Sequence, residues 1–196
     1  MVGYFRPMTK SRAQSFWQIV ATPEPPELGQ GPRNGVASSA ALNRRLDAWI
    51  QTTGISIPAA VHLRATALLY HDQHDPAHDL VQELVDPEAA LIHAILHRRE
   101  PDYWNAKYWF RRVTEHPVYV HLPERLHGFA PDPTTAGWLK NLTLAGPLDP
   151  FAFVDACERV SRRPAEDPEA AWLRKVQQHE FEALVDYLVG SNTREC

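Results

Sequence analysis

Apolar and polar positions alternate along this chain with a helical period, broken by short polar turns. The stretch PAAVHLRATALLYH (58–71) is apolar nearly all round, which predicts a central, buried helix. In 87–99, Leu91, Ile92, Ile95 and Leu96 share one face when residues are set about 100° apart. In 103–115 the apolar face is Ala106, Trp109, Phe110 and Val113. In 168–189, Trp172, Leu173, Val176, Ala183, Leu184, Tyr187 and Leu188 outline a broad apolar arc, and Glu180 falls inside it. A carboxylate there needs a cationic partner or a raised pKa, and an arginine of the 98–112 region is the expected partner.

The starts of these helices carry a shared mark. Asp-Pro recurs at Asp75-Pro76, Asp86-Pro87, Asp149-Pro150 and Asp167-Pro168. The aspartate carboxylate accepts from free N–H groups at the N-cap, and proline, lacking an N–H, loses nothing at the next position. DPEAALI and DPEAAWL nearly repeat each other, but no period is sustained, so this reads as shared capping chemistry. Helices are expected near Ser11–Ala21 and over 37–52, 58–71, 76–85, 87–99, 103–115, 150–162 and 168–189. TPEPPELGQGPRNG reads as a surface loop, PVYVHL as a short extended piece and PDPTTAG as loop. Strand signals are otherwise scarce. The expected architecture is all-α: a single-domain bundle of packed helical hairpins (36–190), preceded by a long irregular arm (1–35) and followed by a flexible tail (191–196).

Bulk numbers narrow the function classes. The 196 residues are 44% hydrophobic and 22% charged, suited to one domain with a real core. A net charge of -4 argues against a nucleic-acid binder. No apolar run approaches the ~20 residues needed to span a bilayer, and MVGYFRPMTK lacks the apolar core of a secretory signal. With only Cys157 and Cys196, no structural disulfide is expected and a cytoplasmic setting fits. No GxSxG or phosphate-cradling glycine loop occurs.

Histidine is the unusual count. Nine of the ten histidines lie between His62 and His127. His93 and His97 stand four apart, a spacing that aims two imidazoles at one point and suits a divalent transition metal. Glu100, one turn on, supplies a third ligand or a general base. His71 closes the buried 58–71 helix and His78 opens the next, so both are catalytic candidates that could face His93 and His97 across a bundle. Beyond them, Lys107 with Arg111 and Tyr108 with Arg112 form i,i+4 pairs on a cationic, aromatic flank able to hold a small polar or anionic substrate. Each feature has a structural alternative. The histidines read more readily as surface or hydrogen-bonded structural groups, since HxxxH without the HExxH glutamate is a weak signal. Arg98, Arg99, Arg111 and Arg112 read as a solvated face or hairpin ion pairs. Trp104, Trp109 and Phe110 read as core, and Asp75 as an N-cap.

Three strings, HDQHDPAHDLVQ, HAILHRREPDYWNAKYWFRRVTEHPVY and DPFAFVDACE, resemble, in this order, a family of bacterial and fungal proteins to which no activity is assigned. The resemblance covers most of residues 60–189 and implies no mechanism. Family members carry Tyr-Trp where this chain has Leu91-Ile92. The hairpin with NAKYWFRR is also loosely similar to one Sel1 or tetratricopeptide unit, without the glycine pattern of tandem Sel1 units. Two functions follow as expectations. One is a histidine-cluster enzyme, metal-dependent in one form, acting on a small polar or anionic substrate. The other is a helical module that binds a protein partner, or a second copy, through its His/Arg/Trp surface.

Overall fold

A computed structural model describes residues 11–191 except 114, 131, 144, 145 and 165. The first ten residues of the expected arm, Cys196 and the tail beyond 191 lie outside the described residues. Among those described there are ten α-helices and no strand, so the all-α reading holds. They are α1 (Arg12–Val20), α2 (Ser39–Thr53), α3 (Ile57–Tyr70), α4 (His74–Val81), α5 (Pro87–Arg99), α6 (Tyr103–Val113), α7 (Pro117–Leu126), α8 (Pro133–Leu142), α9 (Pro150–Val160) and α10 (Pro168–Ser191).

Capping chemistry sets most starts. Asp86 and Asp149 accept from Ala89 and Phe151 N–H, and Asp167 from Ala170 N–H. Asp149 is exposed and makes no ion pair in this cap, so Asp149→Ala isolates the cap itself. It should cost about 1 kcal/mol, read as a lowered urea midpoint with unchanged slope. The fourth Asp-Pro differs: α4 begins at His74, its N-cap is Gln73 with no side-chain bond, and Asp75 sits in the first turn. Asp75 is therefore not a cap.

The tract read as extended piece and loop is instead helical. In α7, His116 caps by accepting from Val118 N–H, and Pro117 takes the first position. Pro123 lies inside the helix, where it offers no N–H to the carbonyl four residues back. That carbonyl, on Tyr119, accepts from Leu148 N–H at 2.9 Å instead, so a later segment supplies the missing donor. In α8, Asp132 accepts from both Thr134 and Thr135 N–H, and the Thr135 hydroxyl closes a capping box. Pro117 and Pro133 are first-turn residues of these two helices.

The core is centred on α3 and α5. α3 is buried over most of its length, as its all-round apolar pattern predicts. α5 is buried at every residue from Ala89 to Arg99, not along one face. Long α10 packs across α7, α3 and α9.

Two arginines overturn the expectation of a solvated face: Arg98 and Arg99 are each 0% exposed. Arg98 donates to Glu180 Oε1 (2.9 Å) and to Gln177 Oε1 (3.2 Å), and the Tyr119 hydroxyl donates to Glu180 Oε1 at 2.6 Å. Glu180 thus has the arginine partner its place in the arc demanded. Burial lowers the Arg98 pKa, but the Glu180 carboxylate outweighs it and the net shift is upward. Arg99 pairs with Asp72 at 2.6 Å and donates to the carbonyls of Glu27 and Gly29, while burial pushes its pKa down to about 10. Arg33 joins Asp72 from the other side. Residues 21–37 are in this way strapped onto the bundle. Gly31 is required there: its φ is +82°, and a Cβ would lie 2.7 Å from the Asp72 carboxylate.

Candidate metal centre

Three histidines from two helices converge beside α6. α5 carries His93 and His97 on successive turns, and α4 carries His78. One ring nitrogen from each lies within 4.8 Å of the others. The His93 and His97 rings are nearly parallel, with centroids 4.8 Å apart, and His78 meets His93 edge-on at 4.6 Å. Tetrahedral zinc, with Zn–N of about 2.0–2.1 Å, brings its ligands to roughly 3.3 Å from one another. Closing that gap needs small ring rotations, which the half-buried His78 is best placed to make. Among the described residues no other three His, Cys, Asp or Glu side chains gather ligand atoms this closely.

α6 supplies the wall. The Trp109 indole stacks on His93 with centroids 3.9 Å apart and an interplanar angle of 14°. Asn105, one turn before it, places its amide nitrogen 3.2 Å from His97 Nε2. On the other edge of that ring, Nδ1 is 3.0 Å from Glu100 Oε2. A carboxylate accepts, so Nδ1 carries the proton and Nε2 presents its lone pair, to which the Asn105 amide donates. This carboxylate–histidine arrangement is the one that orients metal-bound imidazoles elsewhere. His93 Nδ1 is buried with no hydrogen-bond partner among the described residues, a cost of about 1–3 kcal/mol for an unsatisfied polar atom.

Burial keeps His93 and His97 neutral. His93 is pushed down to about 3 by desolvation, with His97 and His78 adding to it. His97 is also lowered by burial, against the pull of Glu100 and Asp102. Neutral imidazoles are the form that binds metal, so at these two no proton has to leave first at pH 7.

The other sequence candidates divide. Glu100 orients His97 and is not among the three converging ligand groups. His71 does not reach the cluster. Its Nδ1 accepts from Ala37 N–H at 2.9 Å, so its Nε2 donates to the Val20 carbonyl at 2.7 Å. It fastens the strap, and its ring is not among the three that converge. Lys107 pairs with Asp155, and Arg111 lies 5.9 Å from the Phe151 ring, so both turn toward α9 and away from the histidines. Tyr108 and Arg112 stay on the histidine side: the Arg112 guanidinium lies 5.4 Å from the Trp109 ring and 5.9 Å from Tyr108. Of the aromatics read as core, Phe110 is buried, Trp109 is half-buried, and Trp104 is 75% exposed. Cys157 is no nucleophile: burial pushes its thiol up to about 12.

Residue reading missed Asn105 and the role of Trp109. Their i,i+4 spacing, facing the i,i+4 pair His93 and His97 across a short turn, is the signal that held them. Searches against protein-family models, curated proteins and solved structures found no match for this chain. Among the described residues no helix is long and apolar enough to cross a membrane.

Proposed function

We propose that His78, His93 and His97 hold one divalent transition metal, zinc by preference, and that the protein is a metal-dependent enzyme acting on a small polar or anionic substrate. The observation that carries this reading is the convergence of three imidazoles, two of them kept neutral by burial and one with an orphaned buried nitrogen. Three nitrogen ligands leave a tetrahedral ion one open position, the pattern of catalytic zinc sites, where structural sites close all four. Such an ion, when bound, polarises a substrate oxygen or lowers the pKa of a water.

The chain's own groups have distinct tasks. Glu100 holds the His97 proton on Nδ1 and so keeps Nε2 directed inward. Trp109 covers one face of His93 and keeps water from it. Asn105 sits against His97 Nε2 as a polar neighbour to whatever enters. Arg112 and Tyr108, at the rim, receive the substrate's charge. Lys107 and Arg111 have no part in this reading, because their partners are on α9.

The test is metal content of the untagged protein, zinc-loaded and exhaustively dialysed, by inductively coupled plasma mass spectrometry. About one equivalent is expected in the wild type and near none in His93→Ala/His97→Ala. His78→Ala, at the half-buried ligand, keeps the test decisive where the double variant fails to fold. It should lose zinc with far-ultraviolet circular dichroism unchanged. Wild type that retains no zinc, nickel, cobalt or copper would sink the reading.

A further inference from the structure

α4 and α6 both pack on α5 without packing closely on each other. Between them lie the histidines: His93 and His97 on α5, His78 on α4, with Asn105 and Trp109 of α6 against them. A second stripe of α6 comprises Trp104, Tyr108 and Arg112, spaced i, i+4, i+8.

This stripe is chemically odd for a helix face turned to water. Trp104 is 75% and Tyr108 41% exposed. An indole left in water forgoes about 2–3 kcal/mol of burial, so a solvated helix position ordinarily holds a charged or small residue. The two rings lie nearly parallel, at 14°, with centroids 6.3 Å apart. Together they line about one helical turn of α6 as an aromatic ledge. Arg112 ends the ledge. Its Nη1 is 3.4 Å from the Tyr108 hydroxyl, and among the described residues no carboxylate pairs with it. Of the neighbouring cations, Lys107 has Asp155, and Arg111 turns the other way, toward the Phe151 ring of α9. Arg112 is also tied to the histidines through one ring, since Trp109 stacks on His93 and lies under the Arg112 guanidinium.

We infer that the ligand of this exposed face of α6 is a small molecule with a flat aromatic or heteroaromatic ring and a single anionic group, the ring packing against Trp104 and Tyr108 and the anion on Arg112. As the substrate of the centre, this inference rests on the metal reading. Ring faces recognise ring faces, because stacking on an aromatic side chain contributes about 1–3 kcal/mol per ring. A guanidinium with free N–H groups takes a carboxylate or phosphate through two parallel bonds. The ledge and Arg112 are adjacent on one helix face, so one compact ligand meets both. A polyanion is disfavoured. α4, across the histidines, carries exposed Asp75 and Asp79, and the whole chain has a net charge of -4, so a nucleic-acid strand would be repelled along its length.

The probe is 1-naphthylphosphonate, which has the ring, the anion and no hydrolysable ester. Methylphosphonate carries the anion alone and 1-naphthamide the ring alone. Binding is measured on the full zinc-loaded chain by calorimetry, with zinc content determined on the same samples. The naphthylphosphonate should bind at least ~10-fold tighter than either part, since each partner adds about 1.4 kcal/mol or more. Trp104→Ala and Arg112→Ala should each weaken it ~10-fold or more while zinc content stays at the wild-type level. Both side chains are exposed, so neither change threatens the fold. Equal affinity for methylphosphonate, or undiminished binding in both variants, overturns the inference. So does a dimer of the wild type that Trp104→Ala makes monomeric, because the ledge would then be a protein contact. Zinc retained without naphthylphosphonate binding defeats the ledge and spares the centre. Variant-sensitive binding without zinc keeps the ledge as a ligand site and defeats the centre.

Discussion

Glu180→Ala is expected to lower stability by about 3–5 kcal/mol, the largest effect of any single substitution proposed for this protein. Arg98 and Glu180 are both fully buried and face each other across α5 and α10. The attraction between them offsets a desolvation cost that each would otherwise carry alone. Removing the carboxylate strands the guanidinium, whose remaining support is Gln177 Oε1 and the Phe153 ring 4.1 Å away. It also deprives the buried Tyr119 hydroxyl of its acceptor. Urea denaturation should show a midpoint shift of that size or loss of cooperative unfolding altogether. The paired change Arg98→Met/Glu180→Leu removes both charges and should recover most of the loss. A double variant as unstable as the single one would mean that packing, not uncompensated charge, sets the cost.

How far this network was legible shows where sequence reading stops. Glu180 stood out because a carboxylate inside an apolar arc demands a partner, and the arginine-rich end of the hairpin was the nearest supply. Arg98 and Arg99 themselves gave no such sign. Arginine at a helix C-terminus is ordinary on a surface, and only the third dimension shows that α10 and the strap cover this one. The helix starts at Asp86, Asp149 and Asp167 were readable because capping is local. α7 was not, because the donor that satisfies the carbonyl freed by Pro123 comes from Leu148. The centre divides in the same way. His93 and His97 were readable from one helix's period, and His78 as a candidate from the next helix. That His78 joins them while His71 binds the strap depends on how α4 sits on α5. Trp104 was misread because an aromatic beside two core aromatics is usually core.

Acidification should destabilise the protein by about 3 kcal/mol between pH 6.5 and 4 through His74 alone. Burial, with the nearby Arg99 charge, lowers its pKa to about 4 in the fold. The unfolded chain titrates near the usual histidine value of about 6.5. Above that pH both states are neutral and stability is complete. Below it the unfolded state takes up a proton that the folded state refuses, so stability falls at up to about 1.4 kcal/mol per pH unit, until the folded ring also titrates. His71 and His116 act in the same direction, since burial lowers both. In each, Nδ1 accepts from a backbone N–H, of Ala37 and of Val118 respectively, and protonation there destroys the bond. Urea midpoints at pH 7.5, 5.5 and 4.5 should fall in order, and His74→Gln should flatten the profile. A midpoint unchanged between pH 7.5 and 4.5 would contradict the assignment of neutral buried rings.

The strap has a consequence for how the chain is made. Gln177 donates to the carbonyls of Pro26 and Glu27, across sequence separations of 151 and 150 residues, and Arg174 pairs with Glu27. During synthesis the N-terminal segment therefore emerges long before its partners on α10 exist. Its partners Asp72, His71 and Arg99 emerge sooner, but its seating is complete only once α10 has been made. Helical hairpins such as α5–α6 close over short distances and form early, whereas pairings this remote in sequence are slow and come last. Seating of residues 21–37 is thus a sign that α3, α5 and α10 have already assembled. Until then, the Pro26 and Glu27 carbonyls lack the donor that Gln177 brings.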